Sequence, residues 1–117
     1  PCGITFLDHL NRSASGTTGP GSEEWVYSVD GQSPAQVISF YQGRLTASQY
    51  GWTLPSTLQD TDHLAACKGQ TAALIVGRTD TNPDDNIAPP PGASLLVIIL
   101  APIKNLDPNV QQACALT

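Results

Sequence analysis

The clearest periodicity in the chain lies in residues 33–52, where apolar positions recur at steps of three and four. This spacing places them on one stripe of an α-helix, with polar residues on the other face. Ser33 and Gln36 have the spacing of a capping box, and Pro34 falls at the first helical position. The pattern therefore predicts the main helix over residues 33–48. Its apolar stripe comprises Val37, Ile38, Phe40, Tyr41 and Leu45.

Alternating apolar and polar residues, and short apolar runs, predict strands on both sides of this helix. Because repeated helices do not separate these strands, parallel winding is disfavoured. We expect an α+β fold with one antiparallel sheet of about five strands packed on a single main helix, in the chain order ββαβββ(β). The first two strands are expected to form a hairpin, and the most apolar strand to be central. The predicted strands are residues 3–10, 24–29, 52–54, 63–68, 71–78 and 93–103.

The C-terminal residues 105–117 have the pattern of a short final helix. Asp107 is placed to cap it, and Pro108 stands at its first position. Three apolar residues then face inward, namely Val110, Ala113 and Leu116.

A strand, a Ser-Pro turn, the series V-x-x-F-Y-x-x-x-L and then G-W together resemble a recurring unit of small extracytoplasmic domains in bacterial lipoproteins and membrane-anchored proteins. The resemblance covers residues 24–54, and the gap between Leu45 and Gly51 is longer than in that unit. It implies a fold and an extracytoplasmic location, and it supplies no catalytic residues. The matching residues are Ser33, Pro34, Val37, Phe40, Tyr41, Leu45, Gly51 and Trp52.

With 117 residues, the chain is expected to form a single domain. Charged residues make up only 13% and the net charge is −5. The five Lys and Arg residues are scattered along the sequence, so binding to nucleic acid or to an anionic membrane surface is not expected. The absence of Met indicates a removed leader or a piece of a longer protein. The apolar run at 93–103 is too short to span a bilayer, so we expect no transmembrane segment here and any membrane tether before Pro1.

The three cysteines indicate an oxidising compartment in which two of them pair. We predict a Cys67–Cys114 disulfide, because Cys67 ends a strand and the C-terminal segment has few large apolar residues to hold it in place. Cys2, at the chain end, is then free or linked to another molecule. The alternative pairing is Cys2–Cys114, which leaves Cys67 buried.

The loop after residue 78 is dense in side-chain oxygens, which suit a hard cation such as Ca²⁺. Asp80, Asn82 and Asp84 begin like a calcium loop and are the candidate metal ligands. Asp85 replaces the expected Gly, however, and Pro91 stands where the closing Glu is expected, so a solvated acidic turn is the competing interpretation. The pairs Asp8–His9 and Asp62–His63 would form a metal site only if their strands were adjacent.

No residue is predicted to be catalytic. A nucleophile needs a nearby base and an orienting acid. His63 and Cys67 share a face of a strand but lie about 13 Å apart by strand rise. We therefore expect a non-enzymatic binding or accessory domain, extracellular or tethered to the cell envelope, with protein partners. One alternative is a subunit that self-assembles into an extracellular filament or surface layer, and a second is a small calcium-dependent binding module.

Overall fold

A computed structural model describes residues 3–12, 21–45 and 51–115. The described strands and helices are β1 (Ile4–Arg12), β2 (Ser22–Asp30), α1 (Pro34–Leu45), β3 (His63–Lys68), β4 (Thr71–Arg78), β5 (Ala93–Pro102) and α2 (Pro108–Ala115). The five strands form one antiparallel sheet in the order β1-β2-β5-β4-β3, and helices lie against it, so the predicted α+β class is confirmed. Among the described residues, short 3₁₀ turns also occur at Ser56–Leu58, before β3, and at Ile103–Asn105, after β5.

The last strand, β5, occupies the centre of the sheet. It pairs with β2 on one side, where Val26 lies opposite Val97, and with β4 on the other, where Val76 lies opposite the same residue. Leu95, Leu96 and Val97 are almost completely buried, because both faces of the sheet are covered at this point. The prediction that the most apolar strand is central is confirmed.

The start of α1 has the predicted capping box. Gln36 Oε1 accepts a hydrogen bond from the Ser33 backbone N–H at 2.8 Å, and Ser33 Oγ accepts one from the Gln36 N–H at 3.2 Å. These two bonds satisfy backbone donors that the first turn leaves unpaired. The described helix ends at Leu45, so the predicted residues 46–48 lie outside the described residues.

The helix α1 covers one face of the sheet, here called the first face, over β3, β4 and β5. Val37 and Ile38 enter the core on this face, with Tyr41 and Leu45 packed beside them. Gly77 allows the helix to approach closely, since an added Cβ would lie 2.9 Å from the Pro34 Cα and carbonyl oxygen. The remaining buried residues of this cluster are Val29, Leu64, Ile75 and Leu96.

The opposite face, here called the second face, is covered by two separate segments. Ile87, from the loop between β4 and β5, packs over Val26 and Val97. Leu106 and Val110, from the C-terminal segment, pack at the other end. Asp107 caps α2 through a 2.7 Å bond from the Asn109 N–H, as the sequence predicts, whereas Leu116 lies outside the described residues.

Two details of the sequence prediction are wrong. Residues 52–54 form no strand; only Thr53 makes an isolated bridge, to Cys67, and Pro55 follows closely. Phe40 is 39% exposed although it belongs to the predicted apolar stripe, because it lies on a flank of α1 instead of on the side that meets the sheet.

Candidate binding surfaces

The predicted disulfide joins Cys67 on β3 to Cys114 on α2, with Cα atoms 5.7 Å apart. It closes a loop in which the two cysteines are 47 positions apart. The bond holds α2 against the second face of the sheet. Cys2 lies outside the described residues.

The acidic loop is held to the sheet by a chain of side-chain hydrogen bonds. Asn82, which is buried, donates from Nδ2 to Glu24 at 2.9 Å and to Asp85 at 3.0 Å. Its Oδ1 accepts a bond from Arg78 at 3.2 Å. Asp80 accepts a 3.0 Å bond from the same guanidinium, and this hydrogen bond lowers the pKa of the exposed Asp80 carboxyl. These contacts fasten the loop over the second face.

The three candidate calcium ligands therefore occupy different surroundings. The oxygen of Asn82 faces Arg78, the carboxylate of Asp80 also faces Arg78, and Asp84 is exposed. Within residues 3–12, 21–45 and 51–115, no group of three His, Cys, Asp or Glu side chains is placed to hold a metal ion. Calcium binding stays a prediction.

The two histidines lie at opposite edges of the sheet, on β1 and β3, so they do not form one site. His9 Nε2 lies 2.9 Å from Glu23 Oε2, and its ring stacks on Trp25. His63 Nδ1 lies 2.8 Å from Asp62 Oδ1. Asp62 precedes β3, so strand alternation does not direct its side chain away from His63.

An open cleft of about 850 Å³ lies beside the start of β3 and the end of β4. Its apolar lining includes Leu58, Leu74, Val76 and Val110. The Asp62–His63 pair and the Arg78–Asp80 pair lie at its polar end. The cleft is therefore lined by both apolar and charged side chains.

A second surface lies on the first face, beside α1, and is aromatic. Five of the chain's seven Phe, Tyr and Trp residues gather there, and we call them the aromatic face. The pairing of β1 with β2 places Phe6 opposite Tyr27 and His9 opposite Trp25, so all four side chains are on one side of the sheet. The aromatic face consists of Phe6, Trp25, Tyr27, Phe40 and Tyr41.

Ring contacts and shared packing against the core link the members of the aromatic face from β1 to α1. Phe6 meets Tyr27 edge to face, with ring centres 5.7 Å apart. Tyr41 packs with Tyr27 against the core, and Phe40 meets Tyr41 edge to face at 5.1 Å. Burial raises the pKa of the Tyr41 hydroxyl, and the neighbouring Tyr27 raises it further. The Arg44 guanidinium lies 5.6 Å above the Phe40 ring.

The residues on the opposite flank of α1 show towards which strands Phe40 is directed. Ile38, Ser39 and Gln42 line a hollow with residues 59–61, which run beside β3. The flank that carries Phe40 and Arg44 therefore faces β2 and β1. Because α1 covers β3, β4 and β5, the aromatic residues on β1 and β2 stay partly open to solvent.

Exposure is greatest at the outer strand of this surface. Phe6 is 56% exposed and Ile4 is 40% exposed. The alternation of Trp25, Tyr27 and Val29 was the available sequence signal, since it assigns both aromatic residues to one face. The sequence did not indicate that α1 would leave this part of the sheet uncovered.

Comparison of the chain with protein-family models, with curated proteins and with solved structures finds no match. Among the described residues, no helix has both the length and the apolar character needed to cross a membrane. The functional interpretation therefore depends on the surfaces themselves.

Proposed function

We propose that this chain is a non-enzymatic binding domain, exported to the cell envelope or beyond, that recognises a protein partner through its aromatic face. The observation that carries the proposal is the position of Phe6, Tyr27 and Phe40 together on a surface that α1 leaves partly open. Tyr, Trp, Phe and Arg are enriched at protein interfaces, where large and fairly rigid side chains bury much area. Arg44, whose guanidinium lies above the Phe40 ring, adds an arginine to this surface.

The non-enzymatic part of the proposal is supported by the surroundings of the two histidines. Each lies within hydrogen-bond distance of a carboxylate, Glu23 for His9 and Asp62 for His63. A carboxylate can orient a catalytic histidine, but nucleophilic catalysis also needs a hydroxyl or thiol beside that histidine. Cys67 and Cys114 are joined to each other and so provide no thiol.

The extracytoplasmic part is supported by the disulfide. Such bonds persist in oxidising compartments and are rare in the cytosol. A disulfide and the absence of a membrane-spanning helix among the described residues are compatible with an extracellular location. The resemblance of residues 24–54 to extracytoplasmic domains points in the same direction.

A photo-crosslinking side chain at position 40, introduced in the native host, tests the proposal. Phe40 is exposed, so a larger aromatic group there leaves the core intact. We expect a covalent adduct with a different protein, identified by mass spectrometry, on the outer side of the cytoplasmic membrane. The matched control is the same group at Gln112, an exposed residue on α2 at the second face.

Equal adducts from positions 40 and 112, or adducts from position 40 with no protein other than this chain, would count against a partner on the aromatic face. A mainly cytosolic location would contradict the proposed compartment.

A further inference from the structure

β1 is an outer strand of the sheet, and among the described residues no segment pairs with the first half of its outer edge. The Asp30 N–H donates to the Gly3 carbonyl at 3.1 Å, and Ile4 lies opposite Val29. In an antiparallel ladder this makes Thr5 the residue that exchanges hydrogen bonds with β2. The backbone N–H and C=O groups of Ile4 and Phe6 therefore point away from the sheet.

The second half of this edge is closed by a β-bulge and a carboxylate. The register shifts by one residue between Phe6 and Asp8. Asp8 Oδ1 then accepts a hydrogen bond from the His9 N–H at 2.9 Å. A bulge and a charged side chain are common means of preventing a further strand from pairing. Within the described part of β1, residues 3–7 therefore form the stretch of regular edge that lies before the bulge.

This open segment, Gly3-Ile4-Thr5-Phe6-Leu7, is uncharged, although the chain carries a net charge of −5. The net charge makes two copies of the chain repel each other overall, but this segment adds no charge to that repulsion. The segment is also self-complementary. When two copies pair antiparallel about Thr5, Ile4 of each copy lies opposite Phe6 of the other. Each of these two Ile4–Phe6 pairs exchanges backbone hydrogen bonds across the interface.

We propose that two copies of this chain associate through the first half of β1, antiparallel and centred on Thr5, to form a continuous ten-stranded sheet. The pairing covers Ile4 and Phe6, the most exposed large apolar residues of the strand. The two-fold axis is perpendicular to the sheet, so both aromatic faces point to the same side. The interface is isologous and closed, which gives a dimer and not a filament.

This inference does not depend on the proposed function, since it concerns the backbone edge and not a partner protein, although Phe6 belongs to both surfaces. A dimer does, however, present two aromatic faces side by side. Linked binding sites raise the overall affinity for a partner that also carries two sites.

Cysteine crosslinking tests the register. Thr5 faces Thr5 of the other copy as a non-hydrogen-bonded pair, with Cα atoms expected about 4.5 Å apart, which is within the range that a disulfide spans. In a Cys2→Ser background, Thr5→Cys should form a disulfide-linked dimer under mild oxidation. The matched control is Asn11→Cys, exposed on the closed half of the same strand. We expect crosslinking at position 5 to be at least about tenfold faster, because only position 5 meets the disulfide geometry.

Sedimentation over a concentration series tests association without engineered thiols. Ile4→Lys and Phe6→Lys should each convert the dimer to a monomer, because two lysines would then lie near the two-fold axis. Phe40→Lys, at a similarly exposed aromatic position outside the edge, should leave the dimer unchanged. Circular dichroism confirms that each variant is folded.

Several results would overturn the proposal. They are a monomer at every concentration, equal crosslinking at positions 5 and 11, and a dimer that persists in Phe6→Lys. A monomer that instead binds extended peptides at this edge would assign the edge to a different occupant.

Discussion

Among the described residues, the outer edge of β3 is covered by other parts of the chain, whereas the outer edge of β1 is only partly closed. Thr53 and Cys67 exchange two backbone bonds of 2.9 and 2.8 Å, and the Asp60 N–H donates to the His63 carbonyl at 2.9 Å. On β1, the bulge and the Asp8 carboxylate close only the part of the edge that follows Phe6. A covered edge adds stability to the fold, while an open edge is available for association.

The coverage of β3 also extends to side chains. Gln59 Nε2 donates to the carbonyls of Pro55 and Ala65, each at 3.0 Å, and the disulfide ties Cys67 to α2. Substitutions on the β3 side should therefore lower the free energy of unfolding. Substitutions at the open half of β1 should mainly change association.

The largest loss in the free energy of unfolding is expected when the disulfide is removed. Replacing Cys67 and Cys114 by alanine releases a loop whose ends are 47 positions apart, for which the chain-entropy model gives about 4 kcal/mol. Urea unfolding monitored by fluorescence measures the change. Cys2→Ser is the control and should unfold like the parent chain. A loss below about 1 kcal/mol would show that α2 and the β3 edge are held in place by packing alone.

The next effect concerns the close approach of α1 to β4. Gly77→Ala places a Cβ 2.9 Å from backbone atoms of Pro34, and overpacking of this kind costs about 1–3 kcal/mol. Gly43→Ala is the matched control, because its added Cβ has no neighbour within 4 Å and alanine favours the helix by up to about 1 kcal/mol. The two free energies of unfolding should change in opposite directions. Equal changes would contradict the close contact.

A smaller loss in the free energy of unfolding is expected from Gln59→Ala, which removes two hydrogen bonds from the β3 edge. One such hydrogen bond contributes about 1 kcal/mol to stability. Part of this loss is offset, because the alanine variant no longer buries Gln59 Oε1, an atom without a hydrogen-bond partner among the described residues. Hydrogen exchange at the Thr53 and Cys67 amides should become faster. Thr57→Ala, an exposed neighbour, should leave their exchange unchanged. Unchanged exchange in Gln59→Ala would show that the backbone bridge alone closes this edge.

The smallest effect on stability is expected at the open edge. Phe6→Thr keeps a residue that favours strands and removes a side chain that is 56% exposed, so the free energy of unfolding should fall by less than about 1 kcal/mol. Chemical unfolding at low protein concentration measures the change in the monomer. A loss comparable to that of the disulfide would mean that both edges stabilise the fold alike.

Features that depend on neighbouring residues could be predicted from the sequence. The capping box, the bounds of β3 and β4, and the Asp107 cap each depend on a few adjacent positions. The disulfide was predicted because the C-terminal segment needed an anchor, which is a reason based on packing.

Features that depend on how elements meet could not be predicted. The spacing of three and four residues places Phe40 on the same apolar stripe as Val37 and Tyr41, but the orientation of α1 on the sheet decides which of these residues are buried. The aromatic face needs the strand order β1-β2-β5, in which a strand from the end of the chain separates β2 from β4. On the same face of the sheet, α1 then lies over β5, β4 and β3. Such an arrangement joins residues distant in sequence, and local patterns do not encode it.

The central position of β5 also has a consequence for how the chain reaches its folded state. The β1–β2 and β3–β4 pairs can each form from adjacent segments, but each leaves one side unpaired until residues 93–102 are inserted between them. Folding is therefore expected to be slow and to depend on contacts that are distant in sequence. During synthesis, a chain that emerges from its N-terminus cannot complete the sheet before β5 is available. Such a chain stays loosely structured for longer, which is the condition in which a polypeptide can be threaded across a membrane before it folds.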